Sequence, residues 1–225
     1  MSPLYLYALL AEPPAGTLPA GLLGEPLRLV SCDGIVAVVG EVEAAPVVEA
    51  ETLRSHDAAV RVLATISDAL LPARFGSVTR DDGQLCEAVR AQAASVREAL
   101  QAVRGCDQMT LRFSREDGSS EVTAAEPDEG GPGTRYLAQR RAAAGDPAAL
   151  PEIRLVLEAL TPFVRGERRQ RHERPPLLAS VYHLVPRDGL DAYRAALAAA
   201  AAKASVRVAS SGPWPPYAFA PDALA

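Results

Sequence analysis

The run Leu4-Tyr5-Leu6-Tyr7-Ala8-Leu9-Leu10 (LYLYALL) places seven consecutive apolar or aromatic residues near the start of the chain. No basic segment precedes it, so we interpret the run as a β-strand rather than as a signal peptide. It is also far shorter than the ~20 apolar residues of a membrane-spanning helix, and so is the Ala-rich segment Ala195–Ala202. The sequence therefore predicts a folded domain that opens with a strand and has no membrane partner.

A hairpin and two helices are predicted to follow this strand. Asp33-Gly34 separates two apolar runs, and both residues tolerate the positive φ that a type I′ turn demands. Farther along, apolar residues recur at steps of three and four, the period of an amphipathic helix. The predicted elements are strands at Leu27–Cys32, Ile35–Val42 and Asp107–Phe113, and helices at Leu53–Leu70, ended by Pro72, and at Asp81–Gly105.

The composition changes sharply between Ser114 and Thr134, where the chain reads SREDGSSEVTAAEPDEGGPGT. This stretch is acidic and rich in Gly, Ser and Pro, so it buries too little apolar surface to offset its ordering entropy. We interpret it as a linker or long loop, because the apolar strand and the Lys-Ser/Thr pair of a phosphate-binding loop are missing. It divides the chain into an N-terminal domain, residues 1–113, the linker, residues 114–134, and a C-terminal domain, residues 135–225.

The second half mixes helices and strands as the first does. Its predicted elements are helices at Tyr136–Ala144, Ile153–Val164 and Asp188–Ala201, and strands at Leu178–Val185 and Val206–Ala209. We therefore predict an α+β fold in which each domain is a mostly antiparallel sheet with helices on one face. Strict βαβα alternation with a Gly-rich first turn is missing, which argues against a Rossmann-type domain.

Side chains that could carry catalysis are few. His56 lies on the apolar stripe of a helix, which favours a core or boundary imidazole over a catalytic one. His172 lies in a charged run, and His183 lies in the middle of a strand. None stands at metal-ligand spacing from a Cys or a carboxylate, and no nucleophile elbow, P-loop or HExxH motif occurs. The sequence therefore predicts no enzyme, no cofactor and no metal site.

The cysteines and the net charge indicate the compartment and limit the partners. Cys32, Cys86 and Cys106 are odd in number and far apart, so we predict free thiols in the reducing cytoplasm. A net charge of −5 argues against nucleic acid as the main partner. The basic run Arg165–Arg174 is either solvated charge at a helix C-terminus or a docking strip for an acidic partner.

Two segments have unusual patterns. In Leu70–Val78 (LLPARFGSV), Arg74 either anchors a turn through a carboxylate or faces a partner together with Phe75. In Ser211–Phe219 (SGPWPPYAF), the prolines exclude a helix or a central strand. We predict that the aromatic residues of this tail pin it to the rest of the protein as a clasp, with a docking surface as the alternative.

With the opening strand, the helix start Leu53–Asp57 (LRSHD) and the segment Gly131–Arg141 (GPGTRYLAQRR), these segments make the chain resemble the gas vesicle protein F and L family, GvpF/GvpL. The similarity spans Leu4 to Phe219, and the LPxRFG and GPWPPYxF patterns are its specific parts. It marks these residues as structural or partner-binding: Pro72, Arg74, Phe75, Gly76, Tyr136, Leu137, Arg140, Gly212, Pro213, Trp214, Pro215, Pro216, Tyr217 and Phe219.

The resemblance implies a cytoplasmic, non-catalytic protein associated with gas vesicles, whose C-terminal domain has a modified ferredoxin-like fold. Such proteins contact the hydrophobic shell subunit, and the partners expected here are that subunit and other gas vesicle accessory proteins. The implied role is a minor shell component or an assembly accessory factor. The alternative functions are a small-ligand sensor with tandem ferredoxin-like domains, and a hydrolase that uses His56 or His183.

Overall fold

The computed structural model describes residues 2–115 and 150–221. These residues form two compact units. The first unit holds the described residues up to Gln108 together with the tail from Pro213, and the second holds those within Met109–Gly212. The predicted linker from Glu116 onward and the predicted helix Tyr136–Ala144 lie outside the described residues.

The first unit is built on an antiparallel sheet whose central strand is the opening run. Every residue of that strand is buried, because β1 lies between two other strands and both faces of the sheet are covered. The strand order is β2-β3-β1-β4, and β5 pairs with β1 beyond β4. The elements are β1 (Leu4–Leu10), β2 (Leu27–Cys32), β3 (Ile35–Glu41), α1 (Ala50–Thr65), β4 (Leu70–Pro72), β5 (Val78–Thr79), α2 (Asp82–Ala91) and α3 (Ala93–Val103).

Helices pack on both faces of the first sheet rather than on one. Val36 and Val38 of β3 share a core cluster with Val60 and Leu63 of α1. Cys32, on the opposite face of the neighbouring strand, is bonded to Cys86 of α2. The prediction of free thiols is therefore wrong for this pair, whereas Cys106 is a free, buried cysteine. The hairpin and α2 bring together two residues that stand 54 positions apart, a proximity that sequence spacing does not reveal.

Helix ends are the main local differences from the prediction. The first helix ends at Thr65, and Leu70 lies instead in β4, where it pairs with Leu10 of β1. The second predicted helix is two helices, because α2 ends before Gln92 and α3 begins after it. Asp81 begins α2 by accepting a hydrogen bond of 2.8 Å from the backbone nitrogen of Gln84. Sheet pairing therefore overrides helical periodicity where an apolar run borders both elements.

The second unit is a four-stranded sheet with helices on one face. The spatial order is β7-β8-β6-β9, and Ile153, Val156 and Leu197 of the helices pack against alternate residues of β6 and β8. The chain order strand–helix–strand–strand–helix–strand is the one that a ferredoxin-like unit requires, and that assignment stays a prediction. The elements are β6 (Cys106–Ser114), α4 (Pro151–Leu160), β7 (Gly166–Arg171), β8 (Leu177–Pro186), α5 (Leu190–Ala201) and β9 (Arg207–Trp214).

The prediction of two antiparallel sheets with helices is confirmed, but the compact units do not follow the predicted domain boundaries. Strand β6, assigned to the first domain, pairs in the second sheet. The tail from Pro213, assigned to the second domain, belongs to the first unit. The basic run Arg165–Arg174 does not simply follow a helix either, because Gly166–Arg171 is a strand paired with β8. Composition marks a break in the chain, but strand pairing decides which unit each flanking element joins.

Candidate functional site

Motifs from three parts of the chain meet around the imidazole of His56 on α1. The Tyr5 hydroxyl on β1 lies 3.0 Å from His56 Nδ1 and accepts a 3.2 Å hydrogen bond from the backbone nitrogen of Gly76. The Phe75 ring packs edge-on against the rings of His56 and Tyr5, with its centroid 5.8 Å from that of His56 and 6.1 Å from that of Tyr5. The LPARFGSV segment is thereby fixed onto the first strand and the first helix. We call these four residues the His56 cluster.

His56 is held neutral by its surroundings. The hydrogen bond with the Tyr5 hydroxyl engages Nδ1, whereas Nε2 has no partner of good hydrogen-bond geometry among the described residues. The side chain is only 4% exposed. Burial lowers the pKa of His56, while the Ala73 carbonyl and the Asp57 carboxylate oppose that shift. An imidazole used in this way organises the surrounding core, as the sequence predicted for its place on the apolar stripe.

The tyrosine two positions further along β1 anchors the loop before β2. The Tyr7 hydroxyl donates a short hydrogen bond to the Glu25 carboxylate and accepts one of 2.7 Å from the backbone nitrogen of Leu22. Burial and the bond to Glu25 raise the pKa of Tyr7 far above its usual range. The alternation of the opening strand therefore places Tyr5 and Tyr7 side by side, with ring centroids 4.9 Å apart, and each hydroxyl ties down a different loop.

The proline-rich tail docks on the outer surface of α1. The Tyr217 hydroxyl donates a hydrogen bond of 3.2 Å to Asp57 Oδ1. Arg61, one helical turn later, is 2.6 Å from the same carboxylate and places its guanidinium carbon 4.2 Å from the centre of the Trp214 ring. Burial, with the negative charge of Asp57, raises the pKa of Tyr217. These four side chains, which we call the tail clasp, hold the tail against the helix that carries His56.

The tail makes further contacts with the first unit beyond the tail clasp. The backbone nitrogen of Ala218 donates a 2.8 Å hydrogen bond to Gln108 Oε1. Pro215, Pro216 and Phe219 are buried, and Tyr217 packs against the core that contains Tyr5. The contacts of this tail within the first unit are those of a clasp.

The predicted site residues fall into three groups. Pro72 is buried in β4, Phe75 is half-buried, and Arg74 and Gly76 are exposed, Gly76 with a positive φ of 89°. Gly212 and Pro213 lie within β9, which continues past the predicted end at Ala209, and Gly212 has a φ of 125°. Tyr136, Leu137 and Arg140 lie outside the described residues. Sequence reasoning missed the partners Glu25, Asp57 and Arg61; the i, i+4 spacing of the last two was the available signal.

A second polar cluster lies in the other unit, around His183. Its Nε2 is 2.7 Å from Glu167 Oε2, and its Nδ1 is 2.9 Å from the Tyr193 hydroxyl. The imidazole is 1% exposed, and both of its nitrogens are used. Burial works to raise the pKa of Glu167, but the bond to His183 and the nearby Arg169 outweigh it, so that pKa is lowered. The pairing of β7 with β8 sets Glu167 opposite His183, which sequence spacing alone could not reveal.

An open cavity of about 290 Å³ borders this second cluster. The hydroxyl of Thr161, in its wall, donates to the Leu157 carbonyl at 3.1 Å and is therefore already used. The cavity could hold a small polar molecule, but the imidazole beside it is committed to two fixed partners. Its lining residues are Leu157, Thr161, Val164, Arg165, Gly166, Glu167, Arg169 and His183.

Within residues 2–115 and 150–221, His, Cys, Asp and Glu side chains form no group of three or more that could hold a metal ion. Within the same ranges, every helix is too short or too polar to cross a membrane.

The fold matches two solved structures over nearly the whole chain. The GvpF crystal structure from Anabaena sp. PCC7120 has a TM-score of 0.74 at 17% identity, with 98% of this chain and 99% of that one covered. GvpF from Microcystis aeruginosa has a TM-score of 0.75 at 15% identity, with 98% and 100% covered. At these identities the likeness concerns the fold.

Sequence comparison identifies relatives as well. Gas vesicle protein L2 of Halobacterium salinarum is 27% identical, with 90% of this chain and 84% of that protein covered. Gas vesicle protein L of Streptomyces sp. (strain CB03234) is 28% identical, with 96% and 92% covered. The family model described as gas vesicle synthesis protein GvpL/GvpF matches residues 3–221. This protein therefore belongs to the GvpL/GvpF family.

Proposed function

We propose that this protein binds the hydrophobic shell subunit of gas vesicles and acts in their assembly, as an accessory factor or as a minor component of the shell. The observation that carries the proposal is the match of the gas vesicle synthesis family over residues 3–221. The GPWPPYxF and LPxRFG patterns, which the resemblance marks as structural or partner-binding, lie within that match and around α1. Other accessory proteins of the vesicle are further partners under this proposal.

The chemistry of a gas vesicle wall explains why its assembly would require a binding protein. The wall excludes water from its inner side, so its subunit exposes a large apolar surface before it is assembled. A subunit of that kind aggregates unless another protein binds it or nucleates ordered growth. Binding of this type needs no cofactor and no catalytic residue, and we propose neither for this protein.

We propose a cytoplasmic location at the gas vesicle, with neither nucleic acid nor a membrane as partner. The family match supports this location, whereas the cysteines do not, since Cys32 and Cys86 are bonded. The negative net charge of −5 weighs against nucleic acid.

Deletion of the gene followed by electron microscopy of the cells tests the role. We expect few or misshapen vesicles, and vesicles of normal number and shape would rule out an essential role. Probing washed, purified vesicles with an antibody then separates the two forms of the proposal. A pure assembly factor is absent from washed vesicles, whereas a shell component remains with them.

The second candidate function is a small-ligand sensor, which the cavity of about 290 Å³ beside His183 favours. A ligand held there stabilises the folded protein in proportion to its concentration over its dissociation constant. A thermal shift screen with a metabolite panel is the direct test, and a large, saturable increase in melting temperature supports the sensor. A panel without any such increase removes this candidate and leaves the assembly role untouched.

A further inference from the structure

Strand β2 is an edge of the first sheet with backbone groups that face away from it. Its partner β3 follows a two-residue turn, Asp33-Gly34, with φ values of 55° and 77°. A turn of this kind makes the flanking pair, Cys32 and Ile35, a hydrogen-bonded one. Since hydrogen-bonded pairs alternate along an antiparallel ladder, the N–H and C=O groups of Leu27, Leu29 and Ser31 point away from β3. The Ser31 carbonyl lies 3.6 Å from Cys86 Sγ, so the free groups are those nearer Leu29.

Within the described part of the chain, this edge lacks the devices that normally keep sheet edges from pairing. Protected edges are short or carry Pro, Lys or bulges. The edge at the other side of the same sheet is of that type, because β4 has three residues and ends at Pro72. In β2 the charged side chain is Arg28, which turns toward α2 and is 2.7 Å from Asp82, while Leu29 is 39% exposed on the opposite face. Among the described residues β2 pairs with β3 alone, so its partly apolar outer edge around Leu29 is a surface suited to an added strand.

The surroundings of β2 define the side chains that an added strand needs. On the α1 side, Leu29 offers apolar surface, since it pairs with Val38, whose core cluster includes residues of α1. On the α2 side a groove of about 700 Å³ lies beside Arg28 and carries both signs of charge. Its lining residues are Ser2, Leu4, Arg28, Glu41, Arg80, Asp81, Asp82 and Gly83. The fitting occupant therefore alternates apolar residues, facing Leu29, with polar or charged residues, facing the groove.

Two contacts at the turn hold this edge in place before a partner arrives. The Cys32–Cys86 bond ties the end of β2 to α2, and Arg97 of α3 is 2.6 Å from the carboxylate of Asp33. At the other end, Ala20 bridges Pro26 just before the strand begins. The available pairing surface therefore centres on Leu29, and it is fixed in the extended conformation that an added strand requires.

We propose that β2 is the docking edge for one extended segment of the gas vesicle shell subunit, which adds to the sheet as a strand through the backbone of Leu29. The identity of this partner rests on the proposed function, whereas the choice of an extended amphipathic segment rests on the edge and its two sides. Backbone hydrogen bonds supply the affinity in this mode, and the alternating side chains supply the specificity.

Substitutions at position 29 separate the backbone from the side chain. Leu29→Pro removes the outward N–H but leaves the ladder with β3 intact, since Pro is compatible with an edge strand. Leu29→Lys keeps that N–H and places a charge on the edge, and Leu29→Val is the matched control. The probe is the shell subunit fused to a solubilising carrier, captured on immobilised full-length protein. We expect the Pro and Lys variants to bind at least tenfold more weakly and the Val variant to bind as the wild type does.

Amide hydrogen exchange of the full-length protein provides a readout at the level of single residues. In the free protein, the amides of Arg28, Val30 and Cys32 exchange slowly, whereas that of Leu29 exchanges fast. Addition of the carrier-fused subunit then protects Leu29. Loss of slow exchange at Val30 in the Pro variant identifies a folding defect in that variant. In that case the capture measurement on the Lys variant, which disturbs no backbone hydrogen bond, decides whether β2 is the docking edge.

The outcomes distinguish this proposal from the one on which it rests. A wild-type protein that fails to capture the subunit overturns the proposed function together with its partner. Wild-type capture with equal capture by the Pro and Lys variants overturns the docking edge alone. Light scattering that finds a wild-type dimer and a Leu29→Pro monomer assigns the edge to a second copy of this chain and overturns the choice of occupant.

Discussion

At the scale of single residues, the aromatic and ionic contacts of α1 make predictions about stability that can be measured. His56 faces inward to Tyr5 and Phe75, and Asp57, the next residue, faces outward to Tyr217. Two adjacent positions on one helix therefore serve the core and the tail separately. Substitutions at His56 and in the tail clasp can be distinguished by experiment. The contribution of His56 to stability depends on its protonation, whereas that of the tail clasp depends on contact with the aromatic rings of the tail.

Replacement of Trp214 by Ala tests the tail clasp. The change removes a half-buried ring and its contact with the Arg61 guanidinium, which together are worth about 1–2 kcal/mol. We expect the melting temperature to fall by roughly 3–6 °C, measured by circular dichroism, and Trp214→Phe to lose less. An unchanged melting temperature combined with loss of shell-subunit binding would show that the tail is a docking surface rather than a clasp.

The buried His56 predicts a pH dependence with a defined sign. Its pKa is lowered in the folded protein, so the unfolded chain takes up a proton first as the pH falls below about 6.5. The stabilising contribution is complete above that pH and declines below it, by at most about 1.4 kcal/mol per pH unit for one proton. Melting temperatures between pH 7 and pH 5 should fall more steeply for the wild type than for His56→Gln. Equal slopes would contradict the burial argument.

At the scale of elements, pairing between distant segments decides what local patterns leave open. Leu70 fits the period of the preceding helix, but it lies in β4 because that strand pairs with β1. The disulfide is the other example, since α2 meets the end of β2 only after both are packed on the sheet. This cross-link holds a strand that, in the part of the chain that the structure describes, pairs with β3 alone.

Reduction of the Cys32–Cys86 disulfide tests how much this bond contributes to the stability of the folded protein. A cross-link between residues 54 positions apart removes chain entropy from the unfolded state worth about 4 kcal/mol. We expect reductant to lower the melting temperature by on the order of 10 °C, and Cys86→Ser to show the lower value with or without reductant. A Cys86→Ser variant that melts with the oxidised wild type would mean that the bond adds nothing to stability.

The elements were largely predictable, and the site was predictable in part. Periods of two and of three to four residues found the core strands and helices, including β8 and α5, because those patterns are local. The role of His56 as a core residue followed from its place on the apolar stripe. The partners of the clasp and of His183 did not follow, because Asp57 and Tyr217 stand 160 positions apart and only tertiary packing brings them together.

At the scale of the whole molecule, each unit takes one element that the sequence assigned to the other. Strand β6 joins the second sheet, and the tail from Pro213 joins the first unit. The composition break between Ser114 and Thr134 is real in the sequence, but it does not coincide with the limits of the packed units. A fragment cut at residue 113 would therefore lack part of its own unit and carry part of the other.

Truncation tests the contribution of the tail. A chain ending at Gly212 loses the buried Phe219 and the bond of Tyr217 to Asp57. Buried aromatic side chains are worth about 1.5–3 kcal/mol each, so we expect the first unit to unfold at a temperature lower by on the order of 10 °C. A chain ending at Pro221 keeps these contacts and is the control. Equal protease resistance of the two chains would rule out a structural role for the tail.

The return of the tail to the first unit also sets an order of events during synthesis. Residues 213–221 leave the ribosome only after all of Met109–Gly212 has been translated, and they complete a unit whose other residues end at Gln108. At 5–20 residues per second, that interval is roughly 5–20 s. For this time the outer surface of α1 stands uncovered on the nascent chain, so the first unit to emerge is the last to be finished.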